Sequence, residues 1–227
     1  PQEFNLFANQ AQMDIFDQYF YDVDKFSRVH GNETETSDML DLLNEKIDIF
    51  EMKEVPLIQP IAPITTWTLP SPPANPEIYI LGNIMHGDAT IGFREVERVS
   101  EKELMTILQS PLTRPRADRP IYTHQGLGAG GNQVRVWGRF DAAGDFVPID
   151  TLITCNYTRR PVNANWNFVV VNGYAQYNAT DSTNFELHPS EENNLVHKIL
   201  ELAGIVMKDA NLYQIASQEE IKDIQQE

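Results

Sequence analysis

The chain has 227 residues, of which 33 are Asp or Glu and 17 are Lys or Arg, a formal net charge of -16, with one cysteine. A chain this long buries roughly 70% of its unfolded surface, enough for a core without staples, and a single cysteine excludes an internal disulfide framework. Sequence-independent DNA binding needs basic groups that displace counterions, so the charge balance argues against a general grip on DNA.

Divided by region, residues 1–55 carry -9, residues 56–180 carry 0 and residues 181–227 carry -7. Acidic ends of this kind are solvated faces, walls that repel DNA, or surfaces that meet a basic partner. No apolar run is long enough to span a bilayer, and Pro1-Gln2-Glu3-Phe4 lacks the basic and apolar regions of a signal peptide, so neither insertion nor export by that route is expected.

In chain order, Phe4, Phe7, Ala11, Ile15 and Tyr19 fall at helical spacings, with Phe16 and Phe20 widening the stripe, so a first helix is expected. Ser37 or Asp38 can cap a second, whose apolar positions are Met39, Leu42, Leu43, Ile47, Ile49 and Phe50. Residues 1–54 read as a helical hairpin that must dock on something larger. Residues 55–77 hold seven prolines, which exclude helix and disfavour a central strand. The apolar residues between them, Leu57, Ile58, Ile61, Ile64, Trp67 and Leu69, predict an extended arm lying across a surface of its own subunit or a neighbour's.

Residues 78–180 read as a β core, an antiparallel sandwich or barrel, with strands over 78–81, 91–99, 134–140, 146–149, 152–157 and 167–174. One helix interrupts it, since Ser100 and Glu103 form a capping box before Leu104, Met105, Ile107 and Leu108. Residues 181–227 close the chain as a helical segment. A helix starts at Pro189 or Ser190, runs through Leu195, Val196, Ile199, Leu200 and Ala203, and can end at Gly204. The fold class is therefore α+β. The surface that buries this last helix is expected to be partly another subunit.

Motifs of chemistry are weak. Gly126-Leu127-Gly128-Ala129-Gly130-Gly131 has dinucleotide-loop spacing, but a strand pattern follows where a phosphate-binding helix is needed, so a flexible hairpin or loop tip is expected. The five histidines have no metal-site spacing, and His86-Gly87-Asp88 reads as a surface turn. Cys155 sits in a strand pattern and is expected to be a buried thiol. Sequons at Asn32, Asn156 and Asn178 carry little weight without an export signal. Arg114, Arg116 and Arg119, then Arg159 and Arg160, are solvated or structural, or contact an acidic neighbour or another copy, or meet nucleic acid.

Three stretches, VSEKELMTILQSPLTRPRADRPIY (99–122), CNYTRRPVNANW (155–166) and FELHPSEENNLVHKILELAGIVMKD (185–209), resemble structural proteins of tailed-bacteriophage virions, in particular the head-tail connector or ring proteins of crAss-like podoviruses. The resemblance implies a non-enzymatic virion subunit, assembled in the host bacterial cytoplasm, with no catalytic, cofactor or metal residues and no membrane contact. Many copies would form a ring at the portal or tail, against portal protein or other ring proteins. DNA would pass through the channel without sequence-specific binding. Phe4, Phe7, Ile15, Phe16, Phe20, Trp67, Arg114, Arg116, Arg119, Arg159, Arg160, Leu195 and Ile199 are the expected subunit-interface residues. The alternative is a tail module binding a host glycan or receptor, with Trp67, Trp137 and Trp166 lining a groove. A small hydrolase using His124 with an acid comes third.

Overall fold

A computed structural model describes residues 2–27, 34–58, 66–72, 75–88, 92–116, 118–128, 131–140, 146–147, 153–207, 215 and 218. In chain order its elements are α1 (Gln2–Ser27), α2 (Thr34–Asp48), β1 (Glu51–Pro56), β2 (Thr66–Thr68), β3 (Ile78–Asp88), β4 (Gly92–Arg98), α3 (Glu101–Gln109), β5 (Ile121–Gly128), β6 (Gly131–Trp137), β7 (Arg139–Phe140), β8 (Phe146–Val147), β9 (Ile153–Arg159), β10 (Phe168–Val171), β11 (Tyr174–Tyr177), a 3-10 turn (Pro189–Glu191) and α4 (Glu192–Met207). The fold is α+β, as expected, and the chain divides into a central unit, Glu51–Arg160, and a terminal unit made of Pro1–Phe50 with Pro161–Glu227.

The central unit is a curled seven-stranded sheet, a half-barrel, in the order β1-β9-β3-β4-β5-β6-β2. All neighbours are antiparallel except β4 and β5, which are parallel because α3 carries the chain across between them. Ser100 accepts from the Glu103 amide and its own amide donates to the Glu103 carboxylate, so the predicted capping box starts α3. Leu104 then packs with Val99 and Ile121. One corner of the sheet is drawn together by Ile58 and Thr68, which exchange backbone hydrogen bonds of 3.0 and 2.9 Å. The glycine-rich segment is a β5–β6 hairpin, with Gly126 at φ +79 where the register shifts.

The described parts of the proline segment lie on their own chain, one of the two surfaces expected for the arm. Pro56 ends edge strand β1, and Leu57, Trp67 and Leu69 enter the core beside Ile84, Val96, Tyr122, Val134, Ile153 and Cys155. Residues 59–65, with Ile61 and Ile64, lie outside the described residues. His86, by contrast, is no surface turn. It lies 2% exposed within β3, paired in register with Arg94 and Ile153, because the strand runs on through Gly87 to Asp88.

Cys155 is buried, and burial pushes its thiol up to about 12. An unfolded thiol ionises near ~8.5, so the unfolded chain releases this proton first as pH rises. Stability contributed by the buried neutral thiol is full below about pH 8.5 and is lost toward pH 12, at up to ~1.4 kcal/mol per pH unit. Denaturant titrations at pH 8 and pH 10 should show the decline; a Cys155→Ala variant with the same slope would refute the assignment to this thiol.

The terminal unit joins both ends of the chain. Tyr19 stacks near Lys46 and Phe16 lies edge-on to Phe50 at 4.9 Å, so α1 and α2 run antiparallel as the expected hairpin. Ala8, Ala11, Gln12, Ile15, Phe16 and Tyr19 form the buried stripe of α1, joined by Leu43, Ile47, Phe50 and Leu195. The last helix packs on α1 of its own chain, which buries Leu195 and Gly204, while Val196, Leu200 and Ile205 stay exposed. The four-segment division is corrected in three places: the helical end stops at Phe50, residues 51–56 are strand, and residues 161–180 belong with the helices rather than the β core. Two helix signals also misplace a boundary. α2 begins at Thr34, ahead of Ser37 and Asp38, and α4 continues through a buried Gly204 to Met207.

Candidate subunit interface

Within the terminal unit, the sequence FVVVNGYAQY forms a β-hairpin. Asn172 and Gly173 both take positive φ, 53° and 83°, as a two-residue turn with the twist of its flanking strands requires. A single strand over 167–174 was expected; the Asn-Gly pair between apolar runs is the signal that divides it. Cross-strand pairing puts Phe168, Val170, Ala175 and Tyr177 on one face and Val169, Val171, Tyr174 and Gln176 on the other. A strand apolar on both faces is normally a strand covered on both faces. Here Val170 is 62% exposed and Tyr174 77%. A bare two-stranded ribbon is marginal in water by itself, so the apolar faces of this β10–β11 hairpin, the blade, call for cover.

Its base, in contrast, is held firmly. Asn5 on α1 accepts from the Trp166 amide at 2.9 Å and donates to the Asn165 side chain at 2.7 Å. Gln12, 1% exposed, donates to the Val162 carbonyl at 2.9 Å and accepts from the Glu186 amide at 3.3 Å. Asn165 and Thr183 exchange backbone bonds, the Ser182 hydroxyl accepts from the Asn167 amide, and Asn178 donates to Asp181. Phe4, Trp166 and Phe168 continue this anchorage as a run of rings, with centroids 6.4 and 5.7 Å apart. Neither Asn5 nor Gln12 was legible as important, since a single amide on a helix has no signature until its partners are known.

Charge sets the blade apart again. The terminal unit holds twenty-one acidic and six basic residues, a net -15, whereas the central unit is at -1. Residues 161–180 carry no charged side chain at all. An ion pair within the unit, Lys46 to Glu191 at 2.6 Å, is mostly buried and ties α2 to the turn before α4. Burial, with the Glu191 charge second, holds the nearby Tyr19 phenol well above its usual range.

The expected interface residues are scattered by the fold. Ile15, Phe16 and Leu195 are buried in the terminal unit and Trp67 in the central one, so their surfaces are already spent on their own chain. Phe7, Phe20 and Ile199 are half-buried, and Phe4 is 43% exposed at the blade's base. The arginines make local contacts, and Arg116, Arg119 and Arg160 stay exposed. Arg114 donates to the Leu108 carbonyl at the end of α3, and Arg159 to the Arg160 carbonyl. Arg116 and Arg119 close a turn on each other's backbone, and Arg119 also lies 3.7 Å from Glu97. Arg160 lies 3.8 Å from Glu77 and over the Tyr79 ring.

The rival readings find little here. Trp67 is in the core and Trp137 packs against the α3 cluster, which removes two walls of the supposed glycan groove. The His124 ring accepts from the Gly126 amide at 3.2 Å, a bond that steadies the bulge. Among the described residues no helix is long and apolar enough to cross a membrane, and no group of His, Cys, Asp and Glu is placed to hold a metal ion. No protein-family model matches the chain, and no match is found among curated proteins.

Proposed function

We propose that this chain is a non-enzymatic structural subunit of a tailed-phage virion, many copies of which form a ring at the head-tail connector or in the tail, around the DNA channel. One observation carries the assembly part of this reading: an uncharged blade, apolar on both faces and fixed at its base, stands uncovered on a unit of net charge -15. Like-charged units repel at a distance, so copies meet most favourably where charge is absent, and the blade is that place. The same acidity supports a role beside DNA that offers no phosphate contacts, so the polymer slides rather than sticks. Portal protein or other ring proteins would bound the ring above and below. The placement in a virion rests on the resemblance of residues 99–122, 155–166 and 185–209 to connector proteins.

Native mass spectrometry of the purified chain, with electron microscopy of the same sample, tests this. Closed particles of several copies are expected at micromolar concentration; a lone monomer at every concentration would refute the ring.

A further inference from the structure

We infer that the blade joins copies by strand addition: the outer edge of β11 in one copy receives β10 of the next, so that successive hairpins run into one closed annular sheet. This rests on the multi-copy reading above and adds the bonding that makes it.

The first observation is a contrast between sheet edges. Exposed edges invite pairing with other chains, and proteins blunt those that must stay single. Both edges of the seven-stranded sheet are blunted. β1 carries Glu51, Lys53 and Glu54, with Glu54 at φ 55° where the register shifts, and ends in Pro56. β2 is three buried residues, with Thr68 bridged to Ile58. β10 and β11 have no charge, no proline and no bulge, and their ladder is unbroken from Phe168–Tyr177 to Val171–Tyr174.

The second observation is the phase of the backbone. A two-residue turn makes Val171 and Tyr174 a hydrogen-bonded pair, and bonding alternates from there. The Asn178 amide donating to the Asn167 carbonyl at 3.1 Å continues that phase. Ala175 and Tyr177 therefore aim their amide and carbonyl groups away from β10, and Val170 aims its own away from β11. At Phe168 the outward amide is satisfied by the Asn167 side chain at 2.8 Å, which leaves its carbonyl as an acceptor.

The occupant follows from chemistry and closure. A strand seated beside Tyr174–Tyr177 lies against apolar faces within an otherwise acidic unit, and residues 168–171 of another copy are both apolar and uncharged. Pairing β11 with β11 across a two-fold axis would leave both β10 edges bare. Head-to-tail pairing, repeated around a ring, leaves no edge.

The test separates backbone pairing from apolar contact. Ala175→Pro deletes an amide that the hairpin itself does not use, adds no charge and keeps the faces apolar. It is expected to weaken assembly at least about tenfold, with the circular dichroism of the isolated chain unchanged, whereas Ala175→Val assembles as the parent does. In the unsubstituted particle, hydrogen exchange at Ala175 and Val170 should slow at least about tenfold relative to the dilute monomer. If both amides exchange equally fast in particle and monomer, or if Ala175→Pro forms normal particles while Val170→Asp does not, strand addition is wrong and the multi-copy reading stands. If the unsubstituted chain forms no particle, the multi-copy reading itself fails.

Discussion

Val170→Asp is expected to leave the single chain folded and to abolish its assembly. In one copy Val170 is 62% exposed at the centre of the blade, so a carboxylate there stays hydrated and the cost is limited to a few tenths of a kcal/mol of strand preference. Once a neighbour's β11 lies beside β10, the same carboxylate is set among apolar side chains without a partner, a penalty of several kcal/mol after relaxation. At about 3 kcal/mol per contact, affinity between copies falls roughly a hundredfold or more. Added salt should restore little of it, because the loss is desolvation at close range rather than long-range repulsion. Sedimentation of parent and variant at matched concentration, beside their thermal unfolding, gives the answer. A variant that assembles like the parent would show that the blade is not the contact.

Phe16→Ala carries the largest expected loss of stability. Phe16 is fully buried, edge-on to Phe50 at 4.9 Å and to Phe20 at 5.1 Å, and truncating such a ring costs about 3–5 kcal/mol in transfer and cavity terms. That is a large share of the stability of an ordinary domain. Since α1 and α4 belong to one unit, its loosening should speed amide exchange in both by the same factor, roughly a hundredfold or more. Residues 2–27 and 192–205 are the segments to follow. Protection of α4 that survives while α1 exchanges freely would mean that the chain ends do not form a common core, and that α1 serves some other surface.

The elements that were legible have local causes. The stripe of α1 follows from a 3.6-residue period, the start of α3 from one serine and one glutamate, and the β5–β6 tip from clustered glycines. β1 escaped notice because two glutamates, a lysine and a proline do not look like strand. As an edge strand it needs hydrogen bonds from β9 and little apolar surface. His86 and Trp67 were misjudged for a related reason, since their burial depends on sheet partners far away in the chain. The proposed contact surface shifted most. Aromatic and arginine side chains are expected to form it, yet Phe16 and Trp67 are buried in the chain's own packing, and a bare apolar surface stands instead on a hairpin that reads as core strand.

Side-chain period, the α3 cap and the acidity of both ends are read along the chain, because each depends on a few neighbouring residues or on a count of charges; the Asn-Gly turn is as local a signal, though the stretch holding it reads as strand. Which apolar faces cover one another cannot be read this way. Ile15 and Val170 are both β-branched apolar residues, but one is buried within the terminal unit and the other is left in water. That assignment is made by which surfaces meet when both ends of the chain pack together, a non-local competition with no local signature.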